Sequence, residues 1–306
     1  MSSSTPETHD PSVADYRATS PASEGGKFLW FREWQLALPL ALAFAALFVA
    51  PLLLLVGVSF YDDDKISQPG LASWAKFWGD PFYYKVIGDT LLLGVKCVCT
   101  TFVIGYPLAL VYLELSPRLQ RVLLFIIVMP LLLSVVVRTF AWIVILGREG
   151  VVNSTLMALG VISEPLRLLQ TELGLVISLT QIEMPLMLLP LISVMSRLDP
   201  NLRDASAALG ASRWRTLFTV TLPLSMPGLV AGCLLVFASS TTAFISQTVI
   251  GGVRLIYLPL VIWQQALAVY HWPLAAVASL ALVVSVLSVV AALSWVGRRS
   301  GGYVHG

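Results

Sequence analysis

The sequence predicts an all-α polytopic membrane protein, and three observations carry that prediction. Hydrophobic residues make up 57% of the 306-residue chain and charged residues 12%, with a mean hydropathy of +0.84. Soluble domains carry about 25% charged residues, so this chain belongs in lipid. Six apolar stretches, approximately 35–60, 88–113, 121–146, 173–196, 222–247 and 273–297, are each long enough to cross the hydrocarbon core. None alternates apolar and polar residues in a sustained way, which excludes a transmembrane β-barrel. Helices are then the remaining way to satisfy a backbone in lipid.

The elements follow in order. Residues 1–27 are rich in Ser, Thr, Pro, Glu and Asp, so a disordered cytoplasmic tail is expected over residues 1–30. The segment lacks the basic start and cleavage site of a secretory signal. The first span is too long for a signal core and is expected to stay as an anchor. The membrane domain then covers residues 31–300. The loop after span 1 holds Ser73-Trp-Ala-Lys-Phe-Trp78 and Pro81-Phe-Tyr-Tyr84, and the loop after span 5 holds Ile256-Tyr-Leu-Pro-Leu-Val-Ile-Trp-Gln-Gln265. Such aromatic clusters suit helices at the membrane interface, or they cap the bundle.

Lysine and arginine set the orientation. With the N-terminus inside, eleven of the nineteen, among them Arg118, Arg121, Arg197, Arg203, Arg213 and Arg215, fall in inside segments, and six fall outside. The bias places both termini in the cytoplasm.

Chemistry of the usual enzymatic kinds is excluded. No phosphate-binding G-x-x-x-x-G-K-[ST] occurs; the one Gly-Lys pair, Gly26-Lys27, is followed by Phe28. His9, His271 and His305 are dispersed and form neither a nucleophile–base set nor a metal cluster. Cys97, Cys99 and Cys233 all lie in apolar runs, as small apolar residues rather than a disulfide framework. A net charge of +2 is too small to suggest a nucleic-acid partner.

The segment 197–223, between spans 4 and 5, is the most informative. Asp199-Pro200 is a helix start, with Asp as N-cap and Pro in the first turn. Leu202, Ala205 and Leu209 recur as a narrow apolar stripe. Gly210 is suited to the left-handed conformation that ends a helix. Ser212 then caps a second short helix carrying Trp214, Leu217 and Phe218, and Leu222-Pro223 opens the next span. The expected product is helix, glycine turn, helix, with two apolar stripes free to enter a groove. The run Ala207–Trp214 also has the look of a DNA-binding helix-turn-helix, but its tether between two spans argues against that use. A connector lying on the inner leaflet is the plainer alternative.

Three charges fall inside spans: Lys96, Arg138 and Glu183. An intramembrane charge faces a cavity or a partner. Glu183 lies near mid-membrane, one helical step from Pro185, where a carboxylate can receive an ammonium group in transit; alternatively it pairs with Lys96 or Arg138. Thr241, Thr242, Phe244 and Gln247 on span 5 either line the passage or pack and bond between helices.

The segment 197–223 resembles the "EAA" loop of binding-protein-dependent ABC transporter permeases. Asp204-Ala205-Ser206 stands for the opening Glu-Ala-Ala, Gly210 for the glycine, and Val220, Leu222 and Pro223 for the closing residues at full spacing. Asp for Glu keeps the charge, and Ser for Ala stays small. The resemblance extends over most of the chain beyond residue 30 and is strongest to the spermidine/putrescine-type subgroup. It is carried also by Val137-Arg-Thr-Phe-Ala-Trp-Ile-Val-Ile-Leu-Gly147, Met184-Pro-Leu-Met-Leu-Leu-Pro190, Leu224–Gly232 and Phe244–Gly252.

That resemblance implies a six-helix, type I ABC importer permease fold in a bacterial inner membrane. It implies that Asp204, Ala205, Ser206, Leu209, Gly210, Trp214, Leu222 and Pro223 form the loop that docks on a cytoplasmic ABC ATPase dimer. ATP and magnesium would be bound by those ATPases, with no cofactor in this chain. The other implied partners are a second permease, usually a paralogue, and an extracytoplasmic solute-binding protein. Polyamines are the subgroup's usual cargo; related permeases carry opine-like compounds, phosphonates or ferric iron. The rival from another class is a self-contained secondary transporter or channel, which has no use for the 197–223 segment.

Overall fold

The computed structural model describes residues 26–199 and 201–301. The side chains of residues 26–37, 203, 204, 253 and 296–301 lie outside what is described, as do Pro200 and residues 1–25 of the tail expected over 1–30; residues 26–30 are helical rather than disordered. All regular elements among the described residues are helical, with one isolated bridge between Tyr61 and Pro69.

By internal contacts the chain divides into two units, Met1–Leu54 and Leu55–Gly306. Most of helix α1 (Gly26–Val58) falls in the first unit. Its side chains from Leu38 to Leu54 are exposed, an apolar surface of the kind lipid accepts.

The second unit begins with the short helix α2 (Ala72–Gly79) and the long helix α3 (Pro81–Glu114). Helices α4 (Pro117–Leu132), α5 (Val135–Leu146) and α6 (Val151–Ala158) follow, then α7 (Glu172–Met195). The polar segment forms α8 (Asn201–Ala208) and α9 (Arg213–Thr216). A π-helical turn, Leu217–Thr221, leads into α10 (Leu222–Thr242). Next come α11 (Phe244–Gly251), α12 (Leu258–Trp263) and α13 (Trp272–Gly301).

Five helical stretches are long and apolar enough to cross a membrane singly: Leu38–Val58, Pro81–Glu114, Glu172–Met195, Arg213–Thr242 and Trp272–Trp295. The predicted third span, 121–146, is not continuous. α4 and the helices after it meet at a bend of 105°. Leu133 and Ser134 are extended, the Leu133 N–H turns back to the Pro130 carbonyl, and the Ser134 hydroxyl accepts from the Val136 N–H to start α5. Pro130 supplies no N–H of its own, and the serine offers a fresh N-cap two residues before the new helix is under way. Hydropathy is blind to both.

The predicted fifth span, 222–247, is displaced toward its N-terminal side. Helix runs from Arg213 to Thr242 without a gap and breaks at Ala243. The Leu222 N–H bonds to the Leu217 carbonyl, five residues back. Pro223 has no N–H to continue an ordinary ladder, so the wider turn absorbs the mismatch.

α7 is the centre of the second unit, packed chiefly against α10 and α3. Leu175, Leu179, Met187, Leu188 and Leu191 of α7 are buried in the main cluster. Small residues let α10 come close: a Cβ placed on Gly232 would sit 2.8 Å from Met187 Sδ and 3.0 Å from the Met187 carbonyl. On Gly228, one turn earlier, it would sit 2.8 Å from the Pro190 carbonyl. This is the small-residue packing that replaces hydrophobic drive between membrane helices.

The aromatic segments pack into the bundle. Phe77 of α2 is fully buried, stacked on Tyr83 at 4.5 Å, and shares a second cluster with Phe237, Leu258 and Leu274. Leu258 to Val261 of α12 are buried likewise. Trp78, Phe82, Tyr84 and Trp263 of the same segments stay exposed, so buried capping residues and outward aromatics stand side by side.

Candidate functional site

Two regions carry the polar chemistry, and α10 joins them. The first is the pair α8–α9. Asp199 Oδ1 accepts from the Asn201 N–H at 2.9 Å, opening α8 as an N-cap. Gly210 ends it at φ +78°, with its N–H on the Ala207 carbonyl and the Ala211 N–H on the Ser206 carbonyl. Ser212 Oγ accepts from the Arg215 N–H and opens α9. A hydroxyl pair, Ser206 to Thr216 at 2.8 Å, ties the two helices together.

The expected helix, glycine turn and helix are therefore present. The difference lies at the end: α9 is four residues long and runs through the π turn into α10. Leu209 is 89% and Trp214 72% exposed, and Trp214 stacks on the exposed Phe218 at 6.3 Å. Ala205 is exposed and Ser206 half-buried; Leu222 is half-buried against the main core and Pro223 exposed. The side chain of Asp204 lies outside the described residues. Beside the pair opens a concavity of about 660 Å³ lined in part by Glu114, Ala207, Arg213 and Trp214.

The second region is a cavity of about 420 Å³ between α4, α5, α7, α10 and α11. Its polar lining is Arg138, Glu183, Ser239, Thr242 and Ser246, and Phe244 forms part of its wall. Glu183 is residue 12 of the 24 in α7 and only 4% exposed. Ser239 of α10 and Arg138 of α5 are the polar groups beside it. The Arg138 guanidinium makes one long hydrogen bond, Nη1 to the Ile182 carbonyl at 3.5 Å, and its Nε is buried without a partner. Pro185 denies an N–H to the Gln181 carbonyl one turn back, while the Gln181 side chain accepts from Trp142 Nε1.

The remaining predicted pathway residues are elsewhere. Lys96 pairs with Glu172, the first residue of α7, at 2.5 Å, and both side chains are partly exposed. Lys96 is thus engaged at the first residue of α7, about three helix turns from Glu183, and the alternative of a Lys96–Glu183 pair does not occur. Thr241 is fully buried, bonded to the Phe237 carbonyl and facing Gly94 of α3. Gln247 is 1% exposed, and its Nε2 donates to the Ser240 and Thr241 carbonyls. It closes the C-terminal end of α10 where the chain breaks at Ala243 (φ −72°, ψ 59°). Thr242 and Phe244 do line the cavity, and Phe244 also stacks on Trp263 at 6.0 Å.

The sequence reading did not single out Ser239, Ser246 or Glu172. Ser239 belongs to the polar run Ser239-Ser-Thr-Thr242 inside an otherwise apolar span, which was the available signal. Ser246 bonds to Thr139 across the α5–α11 contact at 3.1 Å, a pairing that no spacing in the chain announces.

A helical bundle with an exposed helix pair on one end and a charged cavity at mid-helix is the anatomy of a transport subunit that works with partners. Residues 101–300 match the family of the binding-protein-dependent transport system inner membrane component, and the chain belongs to that family. It is the membrane-spanning permease subunit of an ABC importer, with a multi-pass place in the inner membrane.

Among its relatives, the spermidine/putrescine transport system permease protein PotB of Haemophilus influenzae is 34% identical over 67% of this chain and 72% of its own length. PotB of Escherichia coli is 31% identical over 81% and 91% respectively. Among solved structures, a bacterial ABC transporter involved in the import of the acidic polysaccharide alginate superposes with a TM-score of 0.74 at 19% identity, covering 89% of this chain and 96% of that one. The MetNI methionine ABC transporter, in an inward-facing conformation, gives 0.52 at 18% identity over 73% and 96%. At such identities these two speak for the fold. Family membership removes the self-contained transporter or channel as a reading.

Proposed function

We propose that this permease forms half of the passage for a small organic cation, polyamine-like in chemistry, and that the cation crosses by way of Glu183. The observation that carries this reading is a carboxylate almost fully buried at the midpoint of α7, on the wall of a cavity that α10 shares. A charge so placed is costly unless something compensates it, and the PotB relatives are named for spermidine and putrescine. The solute arrives from an extracytoplasmic binding protein, and a paralogous second permease supplies the other half of the passage.

In the same reading α8–α9 enters a groove on a cytoplasmic ATPase dimer, which binds ATP and magnesium. Leu209 and Trp214 supply the apolar anchors, and Asp204, Ala205, Ser206 and Gly210 supply the close-fitting turn. Contacts that differ between ATPase states bias the cavity helices through the continuous α9–α10 rod. Both termini face the cytoplasm, as the lysine and arginine bias requires. A cysteine probe at Asp63 reacts from outside in intact cells and one at Ser300 does not; the reverse pattern inverts the topology.

The test of the solute reading is uptake of labelled spermidine and putrescine into proteoliposomes holding the full complex and its binding protein. Glu183→Gln keeps the size and removes the charge. Uptake is expected to fall by about tenfold or more, equal to roughly 1.4 kcal/mol of lost stabilisation. Unchanged uptake by a fully assembled Glu183→Gln complex would overturn the role of the acid.

A further inference from the structure

The cavity that holds Glu183 also holds a cation of its own; the Arg138 charge acts on the Glu183 carboxylate and Ser239 bonds to it, but no direct ion pair joins the two. Among the described residues the ion pairs are Lys96–Glu172 and His271–Asp64; Arg138 and Glu183 form none, although both line the same cavity of about 420 Å³. The acid is 4% exposed. The base has its Nε buried without an acceptor, and its single hydrogen bond, to the Ile182 carbonyl, is stretched to 3.5 Å. No second acid lines the cavity to take the guanidinium, and no second base to take the carboxylate.

We infer that the solute this cavity fits is a zwitterion, a small molecule whose ammonium group meets Glu183 and whose carboxylate meets Arg138. The inference rests on the reading of this cavity as the solute passage; it keeps the ammonium group that meets Glu183 and departs from the diamine by adding a carboxylate for Arg138.

The electrostatic argument is direct. Opposite charges that share an apolar cavity without a direct ion pair make a fixed dipole, and the best occupant is a dipole laid against it. Charge pairs gain far more in such surroundings than in water, and a buried charge left without a partner is expensive. A diamine satisfies the acid and brings its second ammonium into a space that already holds a guanidinium, where like charges repel. A carboxylate at that position takes the guanidinium in the two-pronged geometry that arginine favours over lysine. The hydroxyls of Ser239, Thr242 and Ser246 on the same wall can bond to either end of such a molecule. The apolar part of the lining, Leu131, Val135 and Leu186 among it, suits a short carbon chain between the charges.

The experiment uses the assembled transporter complex in lipid nanodiscs without its binding protein, so that the permease's own preference is read. Binding is measured for matched pairs of three to six carbons: ω-amino carboxylates, such as 4-aminobutanoate, against diamines, such as 1,4-diaminobutane. At the best-fitting length the amino carboxylate is expected to bind at least about tenfold more tightly than its diamine, a difference of roughly 1.4 kcal/mol. Arg138→Gln is expected to remove that preference by weakening the amino carboxylate alone. Arg138→Lys, which keeps the charge and loses the fork, is expected to retain part of it. Glu183→Gln is expected to weaken both members of each pair.

A diamine that binds the native complex as tightly as its amino carboxylate at every length overturns the inference and leaves the cation reading standing. The same holds if Arg138→Gln weakens both members equally, because Arg138 then supports the helices rather than the solute. Binding of neither member at any length removes the cavity as a solute site, and the inference falls together with the reading beneath it.

Discussion

The α8–α9 pair and the mid-helix cavity use the same scarce material, a few polar residues in an apolar chain, in opposite ways. In the pair, the polar groups are spent locally: Asp199, Ser212 and the Gly210 turn fix the backbone, and the apolar side chains of Leu209, Trp214 and Phe218 face outward. In the cavity, apolar side chains hold the helices together while Glu183 and Arg138 share the space without a direct ion pair. One region exposes apolar surface and the other encloses charge; on the proposed function a partner covers the first and a passing molecule neutralises the second.

Two glycines give the sharpest way to break this comparison. Gly210 has φ +78° and nothing within 4 Å of where a Cβ would stand. Its role is purely conformational. A β-branched side chain is strained at positive φ, by about 1–2 kcal/mol or more, and the chain relieves the strain by redirecting α9. Gly210→Val is therefore expected to lower ATP-driven uptake by about a hundredfold or more while membrane insertion persists, because the α8–α9 surface proposed to dock is misplaced as a whole. Gly210→Asn, which tolerates the left-handed region, is expected to keep most of the activity. Uptake at the native level by Gly210→Val, measured in proteoliposomes at matched protein, would mean that the turn does not position the pair.

Gly232 is the opposite case. It sits inside α10, and a Cβ there meets Met187 Sδ at 2.8 Å and the Met187 backbone just beyond. The sulfur end can swing aside; the carbonyl of a packed helix cannot. Gly232→Val overpacks the α7–α10 contact and is expected to cost about 1–3 kcal/mol. It should appear as a lower melting temperature of the detergent-purified complex, with uptake reduced by a smaller factor than in Gly210→Val. An unaltered melting temperature would show that α7 and α10 are not pressed together as described.

The comparison also explains what could be read from the chain. The α8–α9 pair is legible because each decision is taken within four residues: an Asp before Pro, a Gly after an apolar stripe, a Ser before a Trp. The family loop pattern sits on the same residues. The cavity is assembled from positions 138, 183 and 239 to 246, and nothing in the spacing of those residues reveals that they converge. Charge inside a span identified Glu183 and Arg138 as unusual, but it gave the same weight to Lys96, which finds Glu172 at the end of α7. Five of the six spans were readable as single helices from hydropathy, whereas the bend after Pro130 that breaks the third and the break at Ala243 were not. A break costs nothing in apolarity, and only the caps Ser134 and Gln247 record it.

The smallest expected effect lies in a third polar segment, the loop after α1, which resembles the α8–α9 pair in being locally built. The Asp63 carboxylate accepts from the Ser67 hydroxyl and N–H and from the Gln68 N–H at 2.5 to 2.8 Å. Those bonds, the Ser67 hydroxyl first and the Gln68 N–H next, hold its pKa down at about 2, against an ordinary 3.8. A carboxyl whose folded pKa is depressed stabilises its loop above the ordinary value and loses that contribution as pH falls through the folded one. The window is therefore pH 3.8 to about 2. Because the group stands half-exposed at the surface, solvent screens the effect and it stays local. Hydrogen exchange at Ser67 and Gln68, corrected for intrinsic rates, should show constant protection from pH 6 to 4 and a decline below that. In Asp63→Asn the amide oxygen still accepts but carries no charge, so protection is expected to be lower by a small factor and to lose its dependence on pH. A decline of the same size and position in Asp63→Asn would assign the titration to another group.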